Sequence, residues 1–262
     1  ANDEMMEISQ RVSPKLSQTS NNIFLNEKLL ARVKSIYDKK EQLNLSTEDA
    51  KLLEDLYESF KANGATLNKD DKEKYRKLSM DLSMLTLQFD QNALKDKNRF
   101  ELLITDENEL SGLPESARDA AAMLAKSKDK NGWLFNLSAP SYIPFMRYSD
   151  KRDLREKMYR EYMSVGNKGD EFDNKDIIKK IVNIRLEIAQ LMGFKNYAEY
   201  ALEHTMAKNS ANVYKLLNQL LEAYKPIAIN EYNAVEGFAL GTEKENITVM
   251  PWDWSYYSEK LR

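Results

Sequence analysis

The sequence predicts a mainly α-helical protein, and three observations carry that prediction. Its 262 residues hold 8 glycines and 6 prolines, too few to punctuate many short strands. Apolar residues recur at alternating steps of three and four through most of the chain, the spacing of one helical face. Strand-like segments are confined to the stretch around 100–138, so a small β-ribbon inserted into a helical body is expected there.

Taken in order, Leu25 to Lys40 reads as a helix with Leu29, Val33 and Ile36 inward. Ser46 followed by Asp49 resembles a capping box, after which Leu52, Leu53, Leu56, Tyr57 and Phe60 form one face before Gly64 stops it. Asn68 is placed to cap the next helix, whose stripe is Tyr75, Leu78, Leu82, Leu85 and Phe89. Phe100–Ile104 and Trp133–Leu137 are the strand candidates, with Gly112-Leu113-Pro114 opening an Ala-rich helix between them. Pro140 and Pro144 predict an extended crossing, then Asp150 as the cap of a helix carrying Leu154, Met158 and Tyr162. Ile177, Ile181, Ile184, Ile188 and Leu191 line another helix, widened by Ile178, Val182, Ala189 and Met192 into a stripe suited to a core, with Gly193 past its end. Asn196 and Glu199 start a short helix. Asn209 or Ser210 starts a long one with Val213, Leu216, Leu217, Leu220 and Tyr224, which Pro226 is expected to kink. A last helix beginning near Asp253 has roughly two turns before Arg262, too few to be stable alone, so a fragment of a larger protein is expected. The expected division is a helical part over 1–98, a β-ribbon with a short helix over 99–148, and a helical part over 149–262.

Composition narrows the function classes. With 42% hydrophobic and 31% charged residues, the chain can bury a core as one large domain or two smaller ones. A net charge of -3 gives no nucleic-acid footprint, and no apolar run approaches the length of a membrane span. Ala1-Asn2-Asp3-Glu4 reads as no signal peptide. The compartment stays open between cytoplasm and periplasm.

The chain has 1 histidine and no cysteine. Zinc sites draw on several His or Cys ligands, so neither a structural zinc nor an H-E-x-x-H pair can be built here, and Cys-His nucleophilic catalysis is excluded. His204 reads as a structural or exposed residue. The aromatic cluster Trp252, Trp254, Tyr256 and Tyr257 reads as packing at a helix start with Asp253 as N-cap, and otherwise as a channel lining or lobe contact. Lys151, Arg152, Arg155, Lys157 and Arg160 alternate with Asp153, Glu156 and Glu161, which predicts a solvated helix surface. Asp70-Asp71 and Asp170-Glu171 fall in cap or loop contexts. No residue is expected to be catalytic, cofactor-binding or metal-ligating.

Several segments in one order carry a resemblance. They are Ser13-Pro14-Lys15-Leu16-Ser17 with Asn21-Asn22-Ile23, Phe60 with Asn63-Gly64-Ala65, and the stretch from Ser83 to Asn92. They continue with Leu110-Ser111-Gly112-Leu113-Pro114, Pro140-Ser141-Tyr142-Ile143-Pro144-Phe145 and Leu154-Arg155-Glu156-Lys157-Met158-Tyr159. The most specific are Leu191-Met192-Gly193-Phe194-Lys195-Asn196-Tyr197-Ala198-Glu199-Tyr200, Met206-Ala207, and Trp252-Asp253 followed by Tyr256-Tyr257. Together they resemble the thimet oligopeptidase family of zinc metallopeptidases, most closely its bacterial peptidyl-dipeptidase branch.

The resemblance implies a helical fold whose two lobes flank a substrate channel, and zinc-dependent cleavage of short peptides. The family's H-E-x-x-H helix and later Glu ligand are absent, so zinc is expected in a full-length parent and none in this chain. The expected role is a non-catalytic helical part of such a peptidase, forming part of the channel wall. The alternative is a stand-alone helical interaction module. Expected partners are peptide substrates of the parent, no nucleic acid and no membrane, with self-association of this chain through its C-terminal end.

Overall fold

A computed structural model of the chain describes residues 3–243 and 247–262. It is mainly α-helical, with one two-stranded antiparallel sheet among the described residues, as expected. The chain divides into two compact units, residues 1–91 with 175–214 and residues 92–174 with 215–262.

The first unit is helical. It contains α1 (Asp3–Phe24), α2 (Glu27–Tyr37), α3 (Thr47–Ala62), most of α4 (Lys69–Arg99), α8 (Lys175–Leu191) and α9 (Tyr197–Leu202). The expected caps form: Ser46 Oγ accepts from Asp49 N at 3.1 Å, Asn68 Oδ1 from Asp71 N at 2.9 Å, and Asn196 Oδ1 from Glu199 N at 3.0 Å. Leu25, Tyr75, Leu78 and Ile188 make one buried cluster, and Val33, Phe60 and Ala65 another. Phe24 meets Phe60 edge-on at 5.4 Å.

The sequence pattern missed α1, which carries Pro14 in its interior. It is a polar-seamed helix rather than a cleanly apolar one. Gln91 donates to the Met6 carbonyl at 3.1 Å, Ser13 and Ser83 share a hydrogen bond at 2.9 Å, and Asn21 donates to Ser79 at 2.9 Å. The Ser13–Ser83 bond thus joins two segments of the resemblance, one on α1 and one on α4.

Other inward assignments need correction. Leu29 and Ile36 of α2 are exposed, as are Leu52 and Leu56 of α3. On α8 the core takes Ile177, Ile181, Ile188 and Ala189, whereas Ile178 and Val182 face outward at 46% and 57% exposure. The stripe is wider than what covers it.

The second unit holds the ribbon. Strand β1 (Leu102–Ile104) pairs with β2 (Trp133–Phe135), with Leu102 opposite Phe135 and Ile104 opposite Trp133. Leu102 and Ile104 are buried and Leu103 exposed, the alternation of a half-buried strand. Between the strands runs α5 (Glu115–Ser127), with Pro114 at its N-cap. Gly132 enters β2 with φ +111°, and a Cβ there would collide with the Ile104 carbonyl oxygen.

Residues 139–148 depart from expectation. They form α6 (Ala139–Tyr148), not an extended crossing. Pro140 sits in the first turn, where N–H groups have no helical partner, so it forfeits nothing. Pro144 does remove one hydrogen bond. Burial of Phe145 and Met146, 0% and 4% exposed, offsets that loss. The helix after it, α7 (Arg152–Met163), has Lys151 at its N-cap and no side-chain cap. Asp150, the expected cap, is used elsewhere.

Both units share α10 (Ser210–Thr242), which runs as one helix through Pro226. The last element is α11 (Trp254–Leu261).

Candidate functional site

The densest polar constellation lies in the second unit, where α7 meets the start of α11. Asp253 occupies the N-cap position of α11, as expected, but its side chain makes no cap hydrogen bond. It is fully buried and accepts four groups instead. Arg155 Nη2 donates to Oδ1 at 2.8 Å and Arg152 Nη2 to Oδ2 at 2.7 Å. Arg152 Nε bridges both oxygens at 3.1 Å, and the Met250 N–H reaches Oδ2 at 3.1 Å.

Arg155, 1% exposed, also donates to the Ser149 carbonyl at 2.7 Å, and its guanidinium lies 3.9 Å from the centre of the Tyr256 ring. Tyr256 Oη donates to Asp150 Oδ1 at 2.7 Å, and Ser111 Oγ to Asp150 Oδ2 at 2.6 Å. Lys260 closes the set, within hydrogen-bond reach of Tyr256 Oη and 3.4 Å from Asp150.

Burial opposes ionisation of both carboxyls. At Asp253 the bonds from Arg152, Arg155 and the Met250 N–H win, holding it below the usual carboxylate range. At Asp150 the bonds from Ser111, Tyr256 and Lys260 do the same. The constellation sets three cations, Arg152, Arg155 and Lys260, against two carboxylates, Asp253 and Asp150, and leaves Arg155 Nε buried without a partner. It fixes the Trp252-Asp253 and Tyr256-Tyr257 motifs against α7, with both carboxylates engaged by hydrogen bonds.

This corrects one sequence expectation. The run from Lys151 to Arg160 is not simply a solvated surface, because Arg155 is interior. Its face was the available signal: Arg155 precedes Met158 by three residues, and Met158 is fully buried. Arg160 likewise lies over the Trp252 ring, 4.8 Å from its centre. Trp252, Tyr256 and Tyr257 are buried at 6%, 5% and 1% exposure, while Trp254 and Leu261 are half-exposed.

The remaining candidates are dispersed. Asp71 belongs to the Asn68 cap and Asp170 to a loop, where it accepts from the Phe172 N–H and pairs with Arg99. In the first unit, His204 lies beside a groove of about 490 Å³ lined by Lys51, Glu54, Asp55, Glu58 and Glu203. Its Nε2 is 3.3 Å from Glu203 Oε2 and 3.9 Å from Glu58 Oε2, with 43% of the side chain exposed.

Those residues do not fit the zinc that the resemblance implies. A single exposed imidazole among mixed charges lacks the second His and the enclosed donor set zinc takes. Among the described residues no three His, Asp or Glu side chains converge as a metal site. No described helix is long and apolar enough to cross a membrane.

Residues 145–262, which contain every member of the α7–α11 junction except Ser111, match the model of Peptidase family M3. Oligopeptidase A of Salmonella typhimurium is 34% identical across 99% of this chain, and the Escherichia coli Oligopeptidase A matches equally. Dipeptidyl carboxypeptidase of Escherichia coli is 30% identical across 100% of the chain. The chain spans 38% of the length of each of these relatives.

Proposed function

We propose that the chain, whose residues 145–262 match the model of Peptidase family M3, is the non-catalytic helical part of a peptidyl-dipeptidase-like zinc metallopeptidase. In this reading the parent hydrolyses short peptides, and this part forms some of the wall of its substrate channel. The observation that carries the proposal is a pairing of extent and donor set. Similarity to two kinds of peptidase runs along the full chain, yet the chain's 1 histidine and lack of cysteine cannot assemble a zinc site. The catalytic metal of the parent therefore belongs to residues outside this chain, and the helices described above supply a frame.

A second reading, a stand-alone helical interaction module, is favoured by one observation, the exposure of apolar residues such as Leu217, Leu220 and Tyr224 along α10. The reading frame that encodes the chain separates the two. An H-E-x-x-H run encoded downstream of Arg262 is the expected result. A stop codon directly after Arg262 would favour the module and remove the peptidase reading.

A further inference from the structure

Asparagine is a chemically labile residue type, and it is most labile before glycine, as at Asn63-Gly64 and Asn131-Gly132. Glycine has no side chain to shield its backbone nitrogen, so that nitrogen can attack the neighbouring side-chain amide. The fold treats the two links differently. Gly64 is buried and Asn63 half-buried. The Gly64 N–H donates to the Lys61 carbonyl at 3.0 Å, and Asn63 Nδ2 donates to the Ser59 carbonyl at 2.8 Å. Nucleophile and leaving group are both held there. Asn131, by contrast, is exposed, and its side chain makes no hydrogen bond among the described residues. Gly132 precedes the first ladder pair, Ile104 with Trp133, and outside the ladder its N–H makes no backbone hydrogen bond among the described residues.

We propose that Asn131 is a site of spontaneous deamidation whose isoaspartyl product loosens the β1–β2 ribbon. The Gly132 nitrogen gives its proton to water or hydroxide and bonds to Asn131 Cγ. The Cγ–Nδ2 bond breaks, ammonia leaves, and a five-membered succinimide remains. Water then adds to one of its two carbonyls. Breaking the Cγ–N bond leaves an ordinary aspartyl link, and breaking the backbone C–N bond leaves an isoaspartyl link that runs through the side chain. Either way one water enters, one ammonia leaves, and an amide becomes a carboxylate. The isoaspartyl route also adds one carbon to the backbone, at a point with little slack. Upstream, the Lys130 N–H donates to the Ala125 carbonyl at 2.9 Å and its ammonium pairs with Glu101. Downstream, Trp133 is paired with Ile104, and Gly132 lies too close to the Ile104 carbonyl to admit a Cβ. A carbon added between these anchors must shift β2, whose Leu134 and Phe135 are buried at 1% and 2% exposure. The chemistry needs nothing outside residues 1–262 and is independent of the peptidase reading.

Incubation of the folded 262-residue chain in mildly alkaline buffer tests it, read by peptide mapping in a mass spectrometer and by enzymatic methylation of isoaspartyl groups. Isoaspartate should build up at 131 at least about tenfold faster than at 63, because reaction at Asn63 must wait for local opening of its hydrogen bonds. In denaturant the two rates should come within about threefold of each other, since both links then sit in an open chain. Asn131→Gln should abolish modification at 131, because the longer side chain would have to close a six-membered ring. The isoaspartyl form, separated by ion exchange, should unfold at a lower temperature than the unmodified chain. Asn131→Asp adds the charge without the extra carbon at an exposed position, so it should unfold with the unmodified chain. Equal rates at 63 and 131 in the folded chain would overturn the proposal, as would no isoaspartate at 131 while the unfolded chain accumulates it. An isoaspartyl form as stable as Asn131→Asp would overturn the effect on the ribbon.

Discussion

Burial alone would drive the Asp253 carboxyl towards protonation, and Arg152 and Arg155 reverse that by donating to both its oxygens. The consequence is a definite pH dependence. A carboxyl held below its unfolded value contributes stability that is complete above the ordinary carboxylate range, near about 4, and is lost as pH falls through its folded value. Asp150 contributes with the same sign. Thermal unfolding of the second unit should therefore drop between pH 5 and pH 3. Asp253→Asn leaves Arg155 buried with no anionic partner and should cost about 3–5 kcal/mol at neutral pH. The variant should also flatten the acid dependence, because one of the two depressed carboxyls is gone. A variant as stable as wild type, with the same pH profile, would mean the junction contributes nothing.

At the scale of the element, the ribbon and the helix after it depend on backbone geometry more than on composition. Gly132→Ala must move either β2 or the Ile104 carbonyl and adopt φ +111° with a side chain. It should cost about 1–3 kcal/mol, read from denaturant midpoints. Phe145 is fully buried and meets Phe135 edge-on at 4.8 Å, so Phe145→Ala should cost about 3–5 kcal/mol. A loss under 1 kcal/mol would show that α6 is not anchored through that ring. These elements also mark what was legible in the sequence. Caps at Ser46, Asn68 and Asn196 could be read because a side-chain oxygen three residues before a free N–H is a local rule. Residues 139–148 could not, because two prolines argue locally against a helix that distant burial of Phe145 and Met146 rescues. Helix α1 escaped because its contacts to α4 are glutamine, serine and asparagine hydrogen bonds, invisible to an apolar pattern. Arg155 escaped because its partner Asp253 lies 98 residues away.

For the whole molecule, helices dominate and the β1–β2 ribbon is the single sheet among the described residues. Far-UV circular dichroism should show the paired helical minima, and a spectrum dominated by strand would contradict the architecture. The central functional claim is that this frame carries no peptidase chemistry of its own. One combined measurement addresses it most directly: calorimetric titration of the purified chain with zinc, alongside hydrolysis of a quenched fluorescent peptide. With His204 exposed and no group of three His, Asp or Glu side chains placed to hold a metal among the described residues, the account predicts no stoichiometric zinc binding and no cleavage. Stoichiometric sub-micromolar zinc together with chelator-sensitive cleavage would contradict it.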